Sequence, residues 1–344
     1  MKLSVSFGLG TPVHHDVRGS FGELLREALS GRTIGVALGP LYQEDPASEL
    51  LRPFRRSAIE AGYSGLLSDE ELAPDEVLEK ARTARSAAIW GKDVGPLDEF
   101  DDWARAGLVL EIARRRGIHV GGRGVLHVDW RLNATVTGRF GAETVRGHGW
   151  AFNPLSMGPE DRKRVWPSDH TRQVAVLDFK AMDVCSMIAV VPGLAELFMG
   201  HPDPYQRVAD VTGLSRDTAK LTFLTWAYGG VVDPHVLGRL HQHFRPVHEF
   251  TKELPHGDFP RMVQTVSAIA FRAALSKALP LLTGIDYIPM FTVHDELTID
   301  VSERAVGRVS EVAEAMSSGA TDRIGFPYRV GVSTGYTYAE AKGD

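Results

Sequence analysis

Cysteine is nearly missing: Cys185 is the only one in 344 residues. No internal disulfide can form, and nothing in the chain calls for an oxidising compartment. An intracellular, cytoplasmic address is therefore the expectation. Long apolar runs are missing as well. Met1 to Pro12 carries one early lysine but no apolar core of signal-peptide length, and no later stretch reads as the ~20 apolar residues of a membrane span. The chain is expected to be soluble, with no membrane partner. A basic excess is also lacking, since 38 Lys and Arg stand against 44 Asp and Glu, a net charge of -6. This excludes a surface that grips nucleic acid by bulk charge, though not a local basic cleft. Internal repeats and low-complexity segments are absent.

What is present is ordinary for a globular protein: 43% hydrophobic and 24% charged residues, with 35 Gly and 19 Pro spread out as turn markers rather than gathered in a linker. The length suits two or three domains, or one large body with subdomains. Residues 1–96 read as short strands (Leu3 to Phe7, Thr33 to Leu38) and helices (Ala47 to Ala61, Pro74 to Arg85). Gly8-Leu9-Gly10 lacks the third glycine of a phosphate loop and reads as a turn. His14-His15-Asp16 reads as a solvated loop. Asp69, Glu70, Glu71, Asp75, Glu76 and Glu79 make Ser68 to Lys80 acidic. From Leu97 the elements lengthen, beginning with a helix through Asp98 to Arg116.

Chemistry first declares itself in Tyr287 to Val301, where two β-rich apolar runs flank His294-Asp295-Glu296. The pattern predicts a hairpin with acids at its tip, although acids are common in turns for reasons of turn geometry alone. A second apolar strand, Val174 to Leu177, ends abruptly at Asp178. An acid buried at a strand end is costly unless a cation or donor meets it. On adjacent strands, Asp178 and Asp295 would make a hard-oxygen site suited to Mg²⁺. Such a pair can hold two ions about 3.5 to 4 Å apart and stabilise both oxygens of a phosphoryl displacement. Between them, Arg216, Lys220, Leu224 and Tyr228 recur at i, i+4 and share one helical face, ending at Gly229-Gly230. Two cations one turn apart match a triphosphate, Leu224 offers an apolar surface to a sugar, and Tyr228 can lie against a base.

In this order, Asp178-Phe-Lys-Ala-Met-Asp183, the Arg216/Lys220/Tyr228-Gly229 helix and Val293-His294-Asp295-Glu296 resemble motifs A, B and C of the family-A DNA polymerases, the DNA polymerase I superfamily. Thr137-Gly138-Arg139 resembles the family's TGR segment, and Phe152-Asn153-Pro154 the stretch after it. Asp203-Pro204-Tyr205 resembles a form common in phage members. Gln264 falls where the family has a primer-template glutamine, and Gly335 to Lys342 resembles the C-terminal signature. The resemblance covers residues 97–344 and points to a small, phage-type member.

The resemblance implies an α/β (α+β) right-hand polymerase with an antiparallel palm sheet, its palm and fingers in 97–344 and the fingers at about 185–260, with 1–96 as a small N-terminal domain or reduced thumb. It implies template-directed extension of a primer 3'-hydroxyl with dNTPs. Two Mg²⁺ ions, with Mn²⁺ as an alternative, would be held by the catalytic acids Asp178 and Asp295 beside Glu296. Arg216, Lys220, Leu224, Tyr228 and Asp183 would bind the nucleotide, while Arg139, Asn153, Gln264 and His294 would meet the DNA primer-template. No Asp-x-Glu pair on an early strand supplies a proofreading exonuclease, and the short thumb suggests a clamp or accessory protein as partner.

The departures are specific. Asp183 stands where these DNA polymerases usually carry glutamate, Leu224 replaces an aromatic, and Tyr205 stands where many members have a phosphate-binding histidine. Leu224-Thr-Trp-Ala-Tyr228-Gly resembles the motif B of single-subunit RNA polymerases, so an RNA polymerase or primase is the runner-up. His-Asp-Glu in motif C favours DNA. A third reading, of another class, is an inactive accessory protein that binds primer-template. The histidines 235, 241, 243, 248 and 256 are expected to serve solvent or backbone rather than zinc. Cys185 is expected to be a small core residue.

Overall fold

The computed structural model describes residues 2–5, 13–16 and 97–344, the last apart from 122, 123, 132–134, 136, 138, 148, 149, 253 and 256. In the N-terminal part, β1 (Lys2–Val5) pairs antiparallel with β2 (Val13–Asp16). The first of the two overlaps the strand expected at Leu3. His14-His15-Asp16, read as a solvated loop, is instead part of β2, with His15 opposite Leu3. The other elements expected in 1–96, and Gly8-Leu9-Gly10, lie outside the described residues.

From 97 the order is α1 (Leu97–Arg116), β3 (Ile118–Val120), β4 (Gly124–Leu126), β5 (Trp130–Arg131), β6 (Gly141–Ala142), β7 (Val145–Gly147) and β8 (Trp150–Phe152). A 3-10 turn, α2 (Pro159–Arg162) and β9 (Val165–Trp166) lead to β10 (Arg172–Phe179). Helices follow: α3 (Met182–Val190), α4 (Leu194–Phe198), α5 (Pro204–Thr212), α6 (Arg216–Ala227), α7 (Pro234–His243), α8 (Arg245–Thr251) and the long α9 (Asp258–Leu282). The chain closes with β11 (Tyr287–Val293), β12 (Glu296–Ser302), α10 (Ser310–Ile324), β13 (Val330–Gly335) and α11 (Tyr338–Lys342). The class is α/β (α+β) with an antiparallel central sheet, as the sequence led us to expect.

That sheet has the order β11-β12-β10-β13, every pair antiparallel. Along β10, Ala175, Leu177 and Phe179 alternate with Val174 and Val176, and all are buried. Both faces are therefore covered, which is why the strand reads as a continuous apolar run rather than an alternating one. Phe179 meets Phe271 of α9 edge-on, with centroids 6.2 Å apart. Pro289 sits in β11, an edge strand where proline is tolerated, next to a register shift at Pro289/Phe291.

A second buried cluster joins α3 to α8 with the start of α9, centred on Phe198, Phe223 and Phe244, whose rings stack or meet edge-on within 6.3 Å. Helix α9 passes through both clusters. By length and composition it is apolar enough to cross a membrane, contrary to the reading that no stretch is, yet 67% of its most apolar window is buried against protein. It packs on α10, α1 and α3. Close approach to α10 depends on Gly319, where a Cβ would stand 2.4 Å from the Ala273 carbonyl oxygen.

Candidate active site

Strand β10 and the β11–β12 hairpin deliver the two acids to one end of the sheet. Asp178 pairs in register with Glu296, and the Phe179 N–H donates to the Asp295 carbonyl oxygen at 3.3 Å. Asp295 occupies the two-residue loop with His294, whose φ of 55° is left-handed. Histidine tolerates that region better than a β-branched residue would, at a cost of order 1–2 kcal/mol. A second left-handed residue, Ala181 with φ 55°, turns the chain from β10 into α3. The turn places Asp183 in the first turn of α3, where the helix dipole favours a carboxylate.

Asp178, Asp183 and Asp295 thus come from three separate elements, near enough for the first two to be felt at the third. Burial, with the neighbouring charges of Asp178 and Asp183, raises Asp295 from 3.8 to about 6, against a smaller opposing effect of Arg139. Asp178 accepts from Lys180 Nζ at 3.1 Å across an exposed edge of the site. Gly331 lies opposite Asp178 and makes room for Lys180, since a Cβ there would stand 2.2 Å from its Cε.

An open cleft of about 230 Å³ continues from these acids, lined by Arg139, Phe140, Asp183, Ser267, Phe271 and His294 among others. Burial and the Arg139 charge lower the His294 pKa below the usual imidazole range, favouring a neutral ring. Gln264 is half-buried on α9, in helical register with Ser267, Ala268 and Phe271 on the cleft wall. The Tyr228 hydroxyl is buried beside the Asp183 carboxylate. Burial, followed by the Asp183 charge, raises its pKa and keeps the phenol neutral.

Helix α6 begins at the Ser215 cap, its side chain accepting from the Thr218 N–H, and ends at Tyr228 and Gly229. Arg216 and Lys220 are exposed, whereas Leu224 and Tyr228 are half-buried against the helical cluster. The stripe read from the sequence therefore runs from solvent into the core. Arg216 donates through Nε to Asp203. Burial works against ionisation of Asp203, but Arg216 and two backbone N–H groups outweigh it and hold the carboxyl below its ordinary value.

Two of the residues singled out in the sequence are engaged elsewhere. The Glu296 side chain, 3% exposed, accepts from Lys342 Nζ (2.6 Å) and Tyr338 Oη (2.8 Å) of α11, and from Thr298 Oγ1 (3.1 Å). The Asn153 Oδ1 accepts from the Leu155 N–H at 2.9 Å, capping the 3-10 turn, while its Nδ2 reaches Thr144 Oγ1 at 3.3 Å. Sequence reasoning missed Lys180, Phe140, Ser267 and Phe271 as neighbours of the acids. Ser267 and Phe271 follow Gln264 at helical spacing, a signal that was there to use. The partnership of Glu296 with Lys342 spans 46 positions and left none.

Among the histidines, His241 and His248 stack at 3.9 Å, and among the described residues no three metal-binding side chains converge on one point. Cys185 is buried on α3, and burial pushes its thiol up to about 12.

No family model matches the sequence, and no curated protein does. Among solved structures, the chain is similar to the polymerase domain of Pol1 from M. smegmatis in complex with DNA primer-template and dNTP. Identity is 14% and the TM-score 0.49, over 86% of this chain and 65% of that one. At that level the likeness assigns no activity.

Proposed function

We propose that the chain is a template-directed DNA polymerase of the family-A type, extending a primer 3'-hydroxyl with dNTPs. The observation that carries this reading is the meeting of Asp178 and Asp295 at abutting strand ends, with Asp295 raised to about 6 by burial and like charge. A site that concentrates negative charge in this way suits divalent cations. Mg²⁺ binds through one or two carboxylates and completes its shell with water and substrate phosphates, so two acids suffice and a closed protein cage is not needed. Asp178 and Asp295 would hold the ions, and Mn²⁺ could replace Mg²⁺. Bound there, the metal would supply charge neutralisation for phosphoryl transfer.

The residues of the chain do the remaining work by placement. Arg216 and Lys220 bind the triphosphate, and Tyr228 with Asp183 walls the sugar and base. Arg139, Gln264 and His294 approach the primer-template from the cleft, reading shape rather than sequence. The primer hydroxyl attacks the α-phosphate and pyrophosphate leaves, with positioning and electrostatics lowering the barrier. A phage-type origin, a cytoplasmic address, the lack of proofreading and a clamp or accessory partner belong to the same reading. The motif-B form Leu224-Thr-Trp-Ala-Tyr228-Gly favours a second reading, an RNA polymerase or primase.

Primer extension on a defined template, with dNTPs and rNTPs in parallel lanes, separates the readings. Extension with dNTPs supports the proposal. Efficient synthesis from rNTPs alone favours the second reading. Primer-template binding without extension in either lane leaves an accessory protein.

A further inference from the structure

Asp203 caps α5, its Oδ1 accepting the N–H groups of Tyr205 (3.0 Å) and Gln206 (3.3 Å), with Pro204 preset for the first helical position. The cap fixes Tyr205, whose ring is 3% exposed. Two cations stand over that ring: the Arg216 guanidinium carbon at 5.9 Å and Lys220 Nζ at 5.5 Å from its centroid. The other Asp203 oxygen receives Arg216 Nε. Burial first, and then the charges of Asp183 and Asp295, act on the phenol. The ring therefore carries two cations over its face while its hydroxyl feels the acidic cluster.

Two like charges at i, i+4 repel each other on an isolated helix. An aromatic face attracts both, through the negative centre of its quadrupole. We propose that Tyr205 is a positioning residue for the incoming nucleotide: its ring seats Arg216 and Lys220 as a pair, spaced to receive the triphosphate. The inference rests on the polymerase reading and adds to it the residue that sets the geometry of the triphosphate site. Tyr205 acts through the two cations and need not touch a phosphate.

The test keeps the shape of the ring and drains its charge. Tyr205→Phe serves as reference, followed by the same position carrying phenylalanine with two, three and four ring fluorines. Single-nucleotide extension gives kcat and KM for dNTP, and a melting curve checks each fold. KM should climb stepwise along the series to about tenfold above the Phe reference, more than kcat changes, because two cations face the ring and each fluorine weakens its hold on both. In a Lys220→Gln background the climb should be shallower. A flat KM along the series, or a rise that merely follows a falling melting temperature, overturns the inference. So does a large rise at Tyr205→Phe with none beyond it, which would assign the effect to the hydroxyl. If the wild type itself extends no primer, the polymerase reading falls and this inference with it; an active wild type with a flat series sinks the inference alone.

Discussion

Replacing Asp295 by asparagine should stabilise the protein while destroying the proposed activity. In the folded chain burial and like charge raise this carboxyl from 3.8 to about 6. The native state therefore holds the proton more tightly than the unfolded chain does, and stability is lost as pH rises through the interval between the two values. Two units correspond to about 3 kcal/mol at most, since each unit is ~1.4 kcal/mol. Asparagine keeps the shape and carries no charge. In chelator-treated samples, Asp295→Asn should exceed wild type by up to about 3 kcal/mol at pH 7.5, shrinking to about 1 kcal/mol at pH 4.5, where the native carboxyl is already protonated. Urea unfolding followed by circular dichroism at the two pH values measures both. A gain of equal size at both pH values, or a less stable mutant at pH 7.5, would refute the reasoning. Adding Mg²⁺ should raise the midpoint of wild type and leave the mutant nearly unchanged.

Four further outcomes are expected. Asp178→Ala should abolish primer extension with primer-template binding retained in a mobility-shift assay, because charge held by the acids acts mainly in the transition state. Asp183→Glu should reduce ribonucleotide insertion by about tenfold in single-nucleotide assays, the added methylene being worth ~1–3 kcal/mol in a pocket; no change would discount a steric role for this wall. Lys342→Met should cost about 2–4 kcal/mol in chemical denaturation by stranding the buried Glu296 carboxylate, and Glu296→Gln should recover part of that loss. With a trap of excess unlabelled primer-template, the isolated chain should add few nucleotides per encounter at near-physiological salt, since each missing phosphate contact weakens its grip; long products would remove the reason for a clamp.

The readable parts of the site were those in which local pattern and chemistry coincide. The apolar run ending at Asp178 and the hairpin around His294-Asp295 were visible because a strand announces itself by composition and a turn by its acids; the structure places them at β10 and at β11–β12. The face of α6 was visible because i, i+4 spacing survives any tertiary context. The direction of Glu296 was not visible. Sequence proximity to Asp295 suggests shared chemistry, but Glu296 opens β12 and its side chain turns to Lys342 and Tyr338 of α11. In the same way α9 and a membrane span share one composition, and only the packing of α9 on three helices tells them apart. Asn153 looked like a ligand-facing residue, yet caps of 3-10 turns draw on the same side chain.

The pattern of charge compensation bears on why the cleft should receive a cation. Away from it, buried acids are met by cations of the chain: Asp300 by Arg172 at 2.6 Å, Glu111 by Arg114 and Arg115 at 2.8 Å, Glu296 by Lys342 at 2.6 Å. Leaving any of these unmatched would cost several kcal/mol. Among the described carboxylates with a clear shift, Asp295 is the one whose proton is held more tightly than in water. Arg216 and Lys220 stand over the Tyr205 ring instead, and Arg216 is already paired with Asp203. Acids at the strand ends and cations on the exposed face of α6 give the region charge of both signs. On the polymerase reading proposed above, a ligand with divalent metal at one end and phosphate charge at the other would meet both. A neutral ligand would meet neither.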